Sequence, residues 1–251
     1  MKPILMVLLL ALSACRSLPE PAEPQISVPI EESPEPVVDE VKLPHIGSAK
    51  YKIIEQLQAE WVYFGQQTVV IDGDQESIPQ VGIWEDDDRW HGERINQYWR
   101  AVGMPRLSGF DCREPWSAAF ISWIMQQSHI PKGHFLPSAA HRTYLNQMLA
   151  NKLDPATPWI PHHISEYQPE IGDLICATRS KTTPPAGVLP DTLKLALHCD
   201  IVVSKQSQVL HVIGGNVRNS VSKTILTLSP QGYLQASSQR PWFLIVENRL
   251  D

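Results

Sequence analysis

The chain has 251 residues, 43% of them hydrophobic and 19% charged, with a formal net charge of −6. That length holds one domain of moderate size or two small ones. A mean hydropathy of −0.18 and a single long apolar run exclude a polytopic membrane protein. An acidic chain without a basic stripe is also a poor nucleic-acid partner, because phosphate contacts need clustered Lys and Arg.

Lys2 precedes nine apolar residues, Ile4 to Leu12, a run too short to span a bilayer. It ends in Leu12-Ser13-Ala14-Cys15, which resembles a bacterial lipobox. The resemblance implies a signal peptide over 1–14 and a lipidated Cys15, with acyl chains enough for stable anchoring to a membrane. Arg16, where an Asp would favour the inner membrane, implies the outer membrane of the bacterial cell envelope, facing the periplasm. Residues 15–45 then read as a tether. Residues 16–45 hold seven prolines and seven acids against two bases. Proline and like charge extend such a segment to roughly 90 Å, a reach suited to the cell-wall mesh.

Residues 46–251 read as one α+β domain, N-terminal helices followed by an antiparallel sheet. Apolar spacing predicts a helix over 48–64, stopped by Gly65. A short strand is predicted at 68–71. Glu85-Asp86-Asp87-Asp88 suits the positive start of a helix over 89–102. Further helices are predicted at 115–128, with Pro115 in its first turn, and from Ser138 to Ala150. From 171 the period changes to strands at 171–177, 199–203, 209–213, 222–228 and 242–246. Residues 179–197 form a long proline-containing loop, and Trp159 is expected exposed in another.

Ser117 falls in the first turn of the third predicted helix, where free N–H groups favour a developing negative charge. His198 opens a strand, and Asn216 follows in Gly214-Gly215-Asn216, just past the next one. A nucleophile at a helix start, a histidine on a strand and a polar orienter nearby make a triad geometry. A capping serine and an ordinary Gly-Gly-Asn turn fit the same residues. Asp200 shares the strand face of His198 and would orient the imidazole or a substrate amine, or simply satisfy a buried donor.

Taken in order, four motifs resemble the papain-like cell-wall hydrolases of the NlpC and CHAP type. They are Trp116-Ser117-Ala118-Ala119-Phe120, Gly172-Asp173-Leu174, His198-Cys199-Asp200-Ile201-Val202 and Gly214-Gly215-Asn216. The chain is most similar to DUF2272, a bacterial family of unknown function that shares the Pro-Trp-Ser-Ala-Ala-Phe-Ile-Ser-Trp, His-Cys-Asp-Ile-Val and Ile-Gly-Gly-Asn-Val runs. Ser138-Ala139-Ala140-His141-Arg142-Thr143-Tyr144 resembles a further motif of that family, and leaves His141 either lining the cleft or satisfied within its helix. The resemblance implies a papain-like domain with Ser117 in place of the usual cysteine, catalytic Ser117, His198 and Asn216, and substrate contacts from Trp116, Asp200 and His141. The substrates it implies are peptidoglycan or muropeptides.

A serine hydroxyl is not measurably ionised at neutral pH, so it needs concerted proton removal and an oxyanion hole. The replacement equally suits a catalytically inactive module that binds cell wall or another envelope protein. An acyl transferase using the same acyl-enzyme chemistry is a third reading. No His-Glu-x-x-His or paired Cys-x-x-Cys occurs, so no metal and no other cofactor is expected. Cys112 is a weaker nucleophile candidate. Cys176 and Cys199 would either bridge neighbouring strands or stay as buried thiols.

Overall fold

A computed structural model describes residues 44–179 and 194–251. The expected lipobox, nearly all of the expected tether and most of the expected 179–197 loop lie outside the described residues. In chain order the described elements are helix α1 (Ala49–Tyr63), strands β1 (Thr68–Asp72) and β2 (Gln75–Gln80), and helices α2 (Arg89–Ala101), α3 (Ser117–Gln127) and α4 (His141–Ala150). Strands β3 (Trp159–His163), β4 (Leu174–Thr178), β5 (Leu197–Gln206), β6 (Val209–Val217), β7 (Ser220–Thr227) and β8 (Trp242–Asn248) follow. None of the described helices is long and apolar enough to cross a membrane.

The fold class is α+β, with two departures from the expected layout. The helices are not all N-terminal, because the β1–β2 hairpin separates α1 from α2. The sheet is mixed. Its order is β2-β1-β7-β6-β5-β4-β8-β3, and β1 runs parallel to β7 while the other pairs are antiparallel. The hairpin turns at Gly73, whose φ of +56 suits glycine. Val69 and Ile71 then alternate inward from β1. The parallel pair joins strands far apart in the chain, as parallel pairing requires a long crossover.

Local chemistry explains the helix starts. Ser48 Oγ accepts from the Tyr51 N–H at 3.1 Å and opens α1. Asp88 Oδ1 accepts from the His91 N–H at 2.9 Å and opens α2, so one residue of the four-acid run acts as the expected cap. The remainder diverge: Asp87 accepts from the Trp84 N–H, and Glu85 turns into the interior.

Helix α3 is the hub. Every residue from Ser117 to Met125 is buried. Around it α1 contributes Ile53 and Leu57, α2 contributes Ile95 and Tyr98, and the sheet contributes Leu174, Cys176, Cys199, Ile201 and Val203. The alternate strand residues Ile175, Ala177, Val202 and Ile245 form a second cluster on the other face. The central strands of the sheet are therefore buried on both sides, while the edge strand β2 is mostly exposed. Trp159 is buried rather than exposed, because its segment pairs with β8 as β3 and its indole N–H donates to the His134 carbonyl at 2.8 Å. Cys176 and Cys199 face each other across β4 and β5 and form a disulfide.

Candidate functional site

Ser117 is the first residue of α3, directly after the Trp116 cap. The N–H groups of a helix's first turn have no partner within the helix, so the backbone beside Ser117 can donate to an anion. Ser117 Oγ lies 2.7 Å from His141 Nε2. His141 is in turn the first residue of α4, and its Nδ1 meets the hydroxyl of Tyr144 one turn on. If Nε2 accepts the serine proton, Nδ1 carries the ring hydrogen and donates it to Tyr144. Burial, with His198 and Arg179 nearby, holds His141 well below the ordinary histidine pKa. The ring is therefore neutral at pH 7 and able to accept. Arg179, just past β4, brings Nη2 to 3.5 Å from Ser117 Oγ. Ser117, His141 and Arg179 line one cavity of about 300 Å³.

The sequence expectation had His198 accepting from Ser117 with Asn216 behind it. The hydrogen bonds run elsewhere. His198 Nε2 is 2.7 Å from Asp200 Oδ1, and both side chains are buried. Strand parity gives the reason. Cys199, Ile201 and Val203 face the helices. With a period of two, His198, Asp200 and Val202 point to the opposite face. His198 lines a separate cavity of about 340 Å³ together with Asn216, Arg179 and Arg240. The two imidazoles still approach, with 6.0 Å between ring centroids. Burial lowers the His198 pKa against the raising influence of Asp200.

Asn216 sits within β6, not beyond it, at a bulge where the register with β7 shifts. Its φ is +56, and its Nδ2 donates to Glu85 Oε2 at 3.0 Å. Trp116 donates its indole N–H to the same carboxylate and is 1% exposed, packed against the rings of Phe64, Tyr98 and Phe120. It offers no face to a substrate in either cavity. Burial raises the Glu85 pKa, opposed by the bond from Trp116. The two glycines before Asn216 are close-approach positions. A Cβ on Gly214 would lie 1.6 Å from Asp200 Oδ1, and one on Gly215 would lie 2.5 Å from the Phe120 ring.

Gly172-Asp173-Leu174 is a structural device. Gly172 has a φ of +95, and Asp173 accepts from the backbone N–H groups of Asn248 and Glu170. Burial pushes its carboxyl up to about 7. Cys112 is exposed, and desolvation followed by the Asp86 and Glu85 carboxylates raises its thiol pKa, the reverse of an activated nucleophile. Among the described residues no group of His, Cys, Asp and Glu converges as metal ligands do.

The site thus gathers Ser117 and His141 from the expected residues and adds Tyr144 and Arg179. The sequence profile of DUF2272, described as an uncharacterized protein conserved in bacteria, matches residues 84–248. The chain belongs to this family. No curated protein and no solved structure matches it. The DUF2272 match spans both cavities and all four of those residues, while α1 and the β1–β2 hairpin lie before it. Tyr144 had a usable signal, since a residue three after His141 on a helix shares its face. Arg179 had none. It reaches Ser117 only because β4 ends beside the start of α3.

Proposed function

We propose that this DUF2272 domain is a serine-dependent amidase or peptidase of papain-like type acting on peptidoglycan peptides. The observation that carries the reading is the 2.7 Å contact between Ser117 Oγ and His141 Nε2 in a cavity. Ser117 attacks the carbonyl carbon while His141 takes its proton. The free N–H groups of the first α3 turn stabilise the oxyanion. His141 then returns the proton to the leaving amine, and water releases the acyl group by the same route. Tyr144 fixes the imidazole tautomer, the task a carboxylate performs in many triads. The order of the four motifs supports kinship with the NlpC and CHAP hydrolases, and through it the peptidoglycan substrate. The Leu12-Ser13-Ala14-Cys15 sequence supports lipid anchoring at Cys15, and loss of labelled acyl chain in Cys15→Ala would test it.

Fluorophosphonate labelling and turnover of muropeptides test the activity. Wild type should label at Ser117 and release products, Ser117→Ala should do neither while staying folded, and Ser117→Cys should retain part of the turnover. Equal turnover by wild type and Ser117→Ala would sink the reading. The burial of Ser117 and His141, 1% and 4% exposed, favours a second reading as a non-catalytic envelope-binding module. That reading predicts muropeptide binding retained in Ser117→Ala and no turnover by either protein.

A further inference from the structure

The two cavities that share Arg179 are lined by cationic side chains in a chain of net negative charge. The Ser117 cavity is lined by Arg142, Arg179 and Lys194 and, among the described residues, by no Asp or Glu. The cavity on the His198 side is lined by Arg179, Arg218 and Arg240, again with no Asp or Glu among the described residues. Arg179 belongs to both. Arg218 is committed to Glu76 at 2.5 Å. Among the described residues neither Arg179 nor Arg240 pairs with a carboxylate. The acid nearest in effect to Arg179, Asp200, is already bonded to His198. Arg240 stands close enough to press on the Arg179 guanidinium. The carboxylates that act on them are already taken, Glu76 by Arg218 and Asp200 by His198; among the described residues both guanidiniums therefore lack an ion-pair partner of their own and can take an incoming anion.

The position of Arg179 specifies where that anion belongs. When a peptide is cut at its last bond, only the amide nitrogen and one Cα separate the attacked carbonyl carbon from the terminal carboxylate. A group that grips this carboxylate must stand beside the nucleophile, as Arg179 Nη2 does at 3.5 Å from Ser117 Oγ. Guanidinium also suits the task, since its planar fork holds a carboxylate through two parallel N–H bonds. A cavity of about 300 Å³ is at the small end for a ligand site and is large enough for an amino-acid residue.

We infer that Ser117 acts on peptides bearing a free C-terminal carboxylate, which Arg179 grips with Arg240 behind it, so that the domain removes the terminal residue. The inference rests on the serine-hydrolase reading above. In the step, Ser117 Oγ bonds to the carbonyl carbon and the C–N bond breaks. The amine leaves with the proton passed through His141. Water then frees the shortened peptide as a carboxylate.

Binding is measured on the full chain carrying Ser117→Ala, by ligand-detected NMR. The probe is a mixed library of N-acetyl dipeptides of both hands, presented once with free C-terminal carboxylates and once as amides. The carboxylate set should bind at least about tenfold more tightly, or ~1.4 kcal/mol. Arg179→Ala should abolish the preference and Arg179→Lys should keep part of it. Equal binding of the two sets, binding of neither, or a preference that survives Arg179→Ala overturns the inference. Should Arg179→Ala fail to fold, Arg240→Ala decides, since it must weaken the carboxylate set alone. Turnover by wild type is read separately. Preference without turnover removes the hydrolase reading and leaves the carboxylate site standing, whereas turnover of acids and amides alike does the opposite.

Discussion

Two histidines compete for one role, and replacing each in turn separates them. His141→Ala deletes the acceptor 2.7 Å from Ser117 Oγ. A positioned general base contributes about 10²–10⁴ in rate, so the barrier should rise by about 3–5 kcal/mol. His198→Gln keeps an N–H for Asp200 but removes the imidazole, whose centroid lies 6.0 Å from that of His141. Were both rings charged, their repulsion would be about 3 kcal/mol at an effective dielectric of 20. Burial depresses both pKa values, so both rings are neutral at pH 7.5 and most of that coupling vanishes. His198→Gln should therefore change the rate less than about tenfold. The assay is the second-order rate of fluorophosphonate attachment to Ser117, paralleled by hydrolysis of an activated ester, with thermal unfolding confirming that both variants fold. The reverse pattern, a slow His198→Gln beside a nearly normal His141→Ala, would refute the assignment and restore the triad expected from the sequence.

Tyr144→Phe removes the partner of His141 Nδ1 and leaves a buried N–H unpaired, which should cost about 1–3 kcal/mol in chemical denaturation and slow labelling as well. Gly214→Ala places a methyl 1.6 Å from Asp200 Oδ1, so Asp200 must abandon His198; a loss of about 1–3 kcal/mol is expected, and unchanged stability would contradict the packing. The Cys176–Cys199 bridge closes a loop with a sequence separation of 23, so reduction should lower the unfolding free energy by about 3 kcal/mol, measured with and without reductant. The pH profile of labelling follows from His141. A base must be unprotonated, and burial lowers its pKa well below the ordinary value, so the rate should stay level as pH falls from 8 through 6.5 and decline only below that. An acid limb at or above 6.5 would show that some other group takes the proton.

The helices were legible because their signals are local. α1 fills Ala49–Tyr63 within the expected 48–64, and α2 fills Arg89–Ala101 behind its aspartate cap. Their buried faces follow the three- and four-residue spacing of apolar side chains. The antiparallel run from β4 to β8 was legible as short β-branched segments between turns. β2 was not, because Gln75–Gln80 is mostly exposed and contains Pro79, so no alternation marks it. β3 was hidden by Pro161 within it and Pro158 just before it, and only pairing with β8 makes it a strand and buries Trp159. At the site, Ser117 could be placed from its helix start alone. The partner of Ser117 could not, because it depends on which face of β5 meets the helices. Cys199 settles that by packing inward, and nothing next to it in the chain says so.

The segment ahead of the family match is built into the fold as firmly as anything inside it. Gln67 Nε2 donates to the Val217 carbonyl and to the Ser222 hydroxyl. Glu60 receives the Tyr98 hydroxyl and pairs with Arg94 at 3.2 Å. Ala49 donates to the carbonyl of Asp251 at 2.6 Å. A gene fragment trimmed to the borders of the family would strip Ile53, Leu57 and Phe64 from around α3, bare the outer edge of β7, and release an insoluble product whose silence in any assay would say nothing about Ser117.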